Sequence, residues 1–190
     1  MFDIRPETPN DVAAREALLD RCFGDERFAK TCERLREGRL PAEELALAVE
    51  HAGTLVGTVR LWNVTAGPGR AAVMLGPIAI DPVLQGLGMG AKLIRHALAR
   101  ATELRHAAVL LVGDAPYYRR FGFSAELVKD LWLPGPVARE RFLGLELVPG
   151  ALKDAQGLVQ ATGALAPRPD LASLVRALAN DDRPAVSQAA

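Results

Sequence analysis

Residues 75–94 read LGPIAIDPVLQGLGMGAKLI, an apolar run broken at Gly76–Pro77, then an Asp81–Pro82 step, then glycines at 86, 88 and 90 that open onto a helical pattern. Proline has no N–H for a sheet ladder, so inside a strand it marks an edge, a bulge or a place where pairing stops. The strand over 71–80 is therefore expected to splay from a neighbour and leave backbone N–H groups free. Alternating glycines let the backbone come close to an anion, and the positive end of the following helix points to the same place. The stretch reads as a phosphate-binding loop.

Competing phosphate motifs separate on spacing. The P-loop needs GxxxxGK[ST], whereas Lys92 follows Ala91 and precedes Leu93, so both spacing and hydroxyl are missing. The dinucleotide fingerprint GxGxxG/A is matched by Gly86, Gly88 and Ala91, with Asp114 later at a strand end. Its first glycine should end the strand, but Asp81, Pro82, Val83, Leu84 and Gln85 intervene. That strand should also open its domain, and here a long N-terminal region precedes it. The remaining pattern is [Q/R]xxGxG/A, met by Gln85, Gly88 and Gly90.

The surroundings give a mixed α and β chain. FDIRPET reads as a first strand, and Asn10 and Asp11 as caps for a helix through Cys22. A second helix is expected over Glu26–Glu37. Strands at 45–51 and 54–64 flank a turn at Ala52–Gly53, and Gly67, Pro68 and Gly69 form the next turn. GAKLIRHALARATELR has Leu93, Ile94, Ala97, Leu98, Ala101 and Leu104 on one helical face and charges on the other. AAVLLVG at 107–113 has the continuous apolar character of a strand buried on both faces. A helical turn at APYYRRF, strands at 126–133 and 143–148, a last strand at 157–165 and a short helix DLASLVRALAN complete the expectation. Residues 1–165 form one expected domain, and 166–190 an extension with a flexible tail.

Bulk properties exclude several classes. Lys+Arg and Asp+Glu balance at 23 each in 190 residues, which is not the charge signature of a nucleic-acid binder. No apolar run is long enough to span a bilayer, and the acidic start MFDIRPETPND does not read as a secretory signal. Cys22 and Cys32 are the only cysteines, so neither a disulfide framework nor a metal knuckle is expected. These features point to a cytoplasmic protein without a metal; monomer and homodimer both stay open.

On the residues quoted, the chain resembles the GNAT superfamily of N-acetyltransferases, and within it the YhbS-like subgroup. LGPIAIDPVLQGLGMGAKLI is similar to the family's acetyl-CoA signature. GDAPYYRRFGF at 113–123 and ELVPGAL at 146–152 are similar to later segments of the subgroup, so the likeness spans roughly residues 2–165 in order. The resemblance implies an α/β (α+β) fold: a mixed, mostly antiparallel sheet flanked by helices, with a splayed strand pair holding acetyl-CoA as cosubstrate. It implies a cofactor site at Ile78, Ala79, Ile80, Gln85, Gly86, Leu87, Gly88, Met89, Gly90 and Ala91. It also implies Tyr118, four residues before Gly122–Phe123, as the acid that protonates the leaving thiolate, and a backbone N–H near Ile78 or Ile80 for the oxyanion. Tyr117 is expected to pack against the sheet.

The implied activity is transfer of an acetyl or short acyl group to a primary amine of a small molecule or peptide, by direct attack in a ternary complex. The alternatives are a non-catalytic acyl-CoA-binding regulatory module and an NAD(P)-binding protein. His51, His96, His106, Glu50 and Asp114 are open choices for a base, as is water. The family builds its acceptor site from the first two helices and a late loop, here 10–37 and about 130–142. In those segments Phe23, Asp25, Glu26, Arg27, Phe28, Trp132, Arg139, Glu140 and Arg141 carry mixed charge and show no preference.

Overall fold

Every strand of the main sheet runs antiparallel to its neighbours except one pair, and that exception makes the site. A computed structural model describes residues 2–167. The elements are β1 (Phe2–Pro6), α1 (Val12–Phe23), β2 (Ala46–His51), β3 (Thr54–Thr65), β4 (Ala71–Ile80), α2 (Met89–Glu103), β5 (Ala108–Val112), α3 (Ala115–Arg119), β6 (Leu131–Trp132), β7 (Phe142–Glu146), β8 (Gly157–Leu158) and β9 (Gln160–Ala161). The seven-stranded sheet has the order β1-β2-β3-β4-β5-β7, with β9 added to the end of β3; β6 and β8 form a small separate sheet. Only β4 and β5 within the large sheet are parallel. This is the mixed, mostly antiparallel α/β architecture expected. The N-terminal hairpin and antiparallel order leave no doubly wound parallel sheet for a dinucleotide.

Alternation along the strands explains the layers. Val73 and Leu75 of β4 and Val109 and Leu111 of β5 join Leu93, Ala97 and Ala101 of α2 in one buried cluster. Their neighbours Ala72, Met74, Ala108 and Leu110 face the other way, onto Leu131, Phe142, Leu152 and Val159. Leu18 and Leu19 of α1 pack on Ala48, Leu55 and Ala79. The helical period of α2 thus meets the two-residue period of the strands on one side, as the apolar face predicts.

Several expected elements are built differently. The helix over Glu26–Glu37 is instead two 3₁₀ turns, Asp25–Ala29 and Thr31–Leu35, hinged at an extended Lys30. The Thr31 hydroxyl donates to Pro136 O (2.5 Å) and Arg34 to Pro134 O (2.6 Å), so the segment bends onto a distant loop that its sequence does not reveal. Asp11 does not cap α1 with its side chain. Its carboxylate accepts from Thr8 N (2.7 Å), Thr8 Oγ1 (2.8 Å) and the Arg5 guanidinium (both contacts 2.8 Å), closing a 3₁₀ turn over Pro9–Asp11 ahead of the helix. Within 126–133, Glu126–Val128 is a 3₁₀ turn and only Leu131–Trp132 is strand. Those apolar residues cover the sheet rather than extend it. The last strand splits, because Gly157–Leu158 pairs with β6 whereas Gln160–Ala161 pairs with β3. The helix expected at 170–180 lies outside the described residues.

Candidate functional site

The site begins where β4 and β5 part. Their parallel pairing is limited to Val73–Val109 and Met74–Leu110. Beyond Met74 come Gly76, whose φ of 132° suits glycine, and Pro77, which lacks an N–H. The Gly76 carbonyl accepts from the Trp62 indole N–H at 2.6 Å, beside a register shift between Val59 and Leu61 of β3. From there β4 stays with β3, pairing Ile78 with Val59 and Ile80 with Gly57, while β5 ends at Val112.

Antiparallel ladders alternate between bonded and non-bonded residue pairs, which settles where the free groups point. Asp81 N–H donates to Val56 O (2.8 Å), so the Ala79–Thr58 pair is the next bonded one, and Ile78 and Ile80 turn their peptide groups away from β3. The Ile80 carbonyl indeed meets Gln85 Nε2 at 3.4 Å and Cys22 Sγ at 3.5 Å. Ile78 and Ile80 therefore present N–H groups to the gap. Ala79 does not, and its side chain is buried against α1.

The loop follows from local chemistry. Asp81 accepts from Val83 N–H (3.1 Å), closing a 3₁₀ turn over Pro82–Leu84, and is pinned from outside by Arg21 at 3.1 Å. Gly86 and Gly88 have φ of 83° and 76°, the left-handed region that side chains resist. No heavy atom stands within 4 Å of where their Cβ atoms would be, so the space above them is open. Gly88 is the N-cap of α2. A cavity of about 440 Å³ lies over this loop, lined by Ile78, Ile80, Gln85, Gly86, Gly88, Met89, Gly90, Ala91, Tyr117, Tyr118 and Arg120 among others. Leu87 is exposed and is not among the residues that line this cavity.

Tyr118 is held at the floor of the gap. Asp114 caps α3 by accepting from Tyr117 N–H at 3.1 Å. The Tyr118 ring packs edge-on to Phe123 (centroids 5.9 Å apart) and Tyr117 (5.1 Å). Its Cε2 would stand 2.2 Å from a Cβ at Gly113, so only glycine there lets the ring lie against the end of β5. Burial pushes the phenol up to about 12; the nearby Tyr117 adds to the rise and the Arg141 guanidinium opposes it. Tyr117 does not pack against the sheet as expected. It stands in the loop cavity with Arg120 over its ring at 4.5 Å, and its hydroxyl would be 3.4 Å from a Cβ at Gly90.

A second cavity, of about 560 Å³, opens on the other side of Tyr118. Its walls come from the two segments expected to meet there: Phe23, Arg27 and Lys30–Cys32 from one, Pro136–Ala138 and Arg141 from the other. Ile78 and Tyr118 line both cavities. Asp25, Glu26, Trp132, Arg139 and Glu140 line neither. Phe28 lines a separate hollow beside Arg15 and Trp62. Trp132 is exposed, with the Arg139 guanidinium on its ring at 4.8 Å.

Of the open choices for a base, only Asp114 borders a cavity, and its carboxylate is engaged by the α3 N-terminus. His51 stacks on Phe2 at 4.4 Å, and Glu50 pairs with Arg5 at 3.0 Å, both at the far edge of the sheet. His96 is exposed on α2, and His106 is half-buried away from both cavities, its pKa lowered by burial. Gly113, Arg120 and Lys30, which border these cavities, were not singled out by sequence reasoning. Gly113 had a signal, a glycine ending an apolar strand just before an aromatic pair; the others had none.

Comparison with known proteins agrees with this geometry. The family model described as "Acetyltransferase (GNAT) family" matches residues 12–123. The uncharacterized N-acetyltransferase YhbS of Escherichia coli (strain K12) is 32% identical over 158 residues, covering 83% of this chain and 94% of that protein. The crystal structure of E. coli YhbS in complex with CoA superposes with a TM-score of 0.72 at 32% identity, over 85% of this chain and 89% of that one. A GNAT family acetyltransferase from Brucella melitensis in complex with acetyl-CoA gives a TM-score of 0.63 at 29% identity, over 85% and 96% of the two chains.

Proposed function

The chain belongs to the acetyltransferase (GNAT) family, and on that premise we propose that it moves an acetyl or short acyl group from coenzyme A to a primary amine of a small molecule, by direct attack. The observation that carries this reading is the meeting of two cavities at Ile78 and Tyr118. One has a loop suited to a pyrophosphate; the other is open to an acceptor and of a size usual for small ligands.

The residues fit the cosubstrate. Open space over Gly86 and Gly88, the N-terminal end of α2 and the Arg120 guanidinium favour anionic phosphates at the loop. The outward peptide groups of Ile78 and Ile80 suit the amides of the pantetheine arm, and one of their N–H groups suits the carbonyl oxygen as it gains charge. During transfer a C–N bond forms and the C–S bond breaks. The amine gives up a proton to water, and the departing sulfur takes one from Tyr118. A phenol near 12 is a weak acid against an ordinary thiol near 8.5. The burial that raises the phenol raises any thiolate beside it too, so the proton follows the sulfur's charge as it develops. A filled Tyr118 position favours turnover over a module that only binds.

The test has two parts. Acetyl-CoA, and not NADH, raises the Tm; no shift at saturating acetyl-CoA would falsify the cofactor assignment. Acetyl-CoA with an amine panel then releases free thiol, and release unchanged in Tyr118→Phe would remove the tyrosine from the chemistry.

A further inference from the structure

The acceptor cavity is electrically one-sided. Arg27, Lys30, Arg36 and Arg141 border it, against a single carboxylate, Asp114. Two of these cations are already neutralised, Arg27 by Glu16 (2.5 Å) and Asp20 (2.9 Å), and Arg36 by Glu33 (2.5 Å). Lys30 and Arg141 have no carboxylate partner among the described residues. Lys30 Nζ sits over the Phe23 ring at 4.6 Å, and Arg141 has only a long contact from Nε to Gly113 O at 3.5 Å. They come from two separate segments, Lys30 from the hinge between the 3₁₀ turns and Arg141 from the residue before β7. Arg141 is near enough to Tyr118 for its charge to bear on the phenol.

We propose that the acceptor is a primary amine that also carries an acidic group, a carboxylate or a phosphate, clamped between Lys30 and Arg141 in the cavity beside Tyr118. This rests on reading that cavity as the acceptor site. The guanidinium fork matches either anion with paired hydrogen bonds, and the lysine adds a point charge. The same two cations disfavour a purely cationic acceptor such as a polyamine. They also lower the pKa of the acceptor's own ammonium, which increases the share of free amine. That assigns the field of the cavity a task for which, among the described residues, Asp114 is the one carboxylate at hand and is engaged by the α3 N-terminus.

The experiment uses the full chain with acetyl-CoA and matched amines: L-alanine against L-alaninamide, β-alanine against β-alaninamide, and phosphoethanolamine against ethanolamine, with spermidine as the cationic control. Coenzyme A release gives kcat/KM, and the Tm of the coenzyme A complex reports binding. The expected result is a preference of at least about tenfold for the acid over its uncharged partner, falling by at least about tenfold in Lys30→Gln or Arg141→Gln. Most of that fall should lie in KM, and Arg141→Lys and Lys30→Arg should restore part of it. The carboxylate and phosphate arms decide between the two anions. Equal or better use of the amides or spermidine overturns the proposal, as does a panel in which no acid releases coenzyme A or shifts the Tm. If acetyl-CoA itself fails to shift the Tm, the failure belongs to the cofactor reading instead.

Discussion

Tyr118 and Gly113 act as one unit. The resemblance to the family pointed to Tyr118, but its support was not legible, because the contact with Gly113 arises only when α3 folds back over the end of β5. Tyr118→Phe keeps the ring packing and removes the hydroxyl, so kcat should fall about a hundredfold with acetyl-CoA binding retained. With the phenol pushed up to about 12, the acid should remain protonated across the working range. Turnover should rise with pH as the acceptor ammonium deprotonates and show no loss from this group below about pH 10. The same raised value means that any stability gained from the buried phenol is intact below its unfolded pKa and disappears as pH climbs through the folded one. Gly113→Ala must move Tyr118 or the strand end. Urea unfolding should show a loss of about 1–3 kcal/mol, the usual range for overpacking, together with a fall in turnover. Full activity in Gly113→Ala would mean that the tyrosine is placed by something else.

At the scale of elements, the loop and the first turn give separate predictions. Gly88→Ala forces a side chain into a left-handed position at a cost of about 1–2 kcal/mol, although no described residue crowds the new methyl group. Thermal unfolding without ligand should show that modest loss, and titration should show a larger loss of acetyl-CoA affinity. Ahead of α1, the Arg5 guanidinium and the Thr8 donors hold the Asp11 carboxyl well below the usual carboxylate range. This contribution is complete above about pH 4 and disappears as pH falls through the depressed pKa. The wild-type Tm should therefore drop in acid more steeply than that of Asp11→Asn. At neutral pH the substitution should cost about 1–2 kcal/mol, the lower part of the charged hydrogen-bond range, because Arg5 is partly solvated. Sequence reading placed the start of α1 correctly but misassigned the Asp11 carboxylate and did not anticipate the 3₁₀ turn. An aspartate before a helix looks like an N-cap, and its partner Arg5 comes from a strand.

For the whole molecule, ligand linkage supplies the measure. Acetyl-CoA at about a hundred times its Kd should stabilise the folded chain by about 2.7 kcal/mol, a rise of several degrees in Tm for a domain of this size. Much of this architecture was readable in one dimension. Gly76–Pro77 announced the parting of β4 and β5, because a missing N–H is a property of the residue wherever it sits. The Asp81–Gly90 spacing announced the loop, because turn geometry is local. The apolar period of α2 announced its buried face for the same reason. What the chain order could not express was the lining of the second cavity. Lys30 and Arg141 lie far apart in sequence and have no shared period, and the charges in their segments nearly cancel. Only the folded chain sorts those charges into pairs and leaves two cations facing one cavity. Conformational restrictions and short-range hydrogen bonds belong to neighbouring residues, so the sequence by itself determined the break in β4, the glycine loop and the buried face of α2. Ion pairing and cavity walls depend on distances through space, so the character of the cavity beside Tyr118 was decided by the tertiary structure alone.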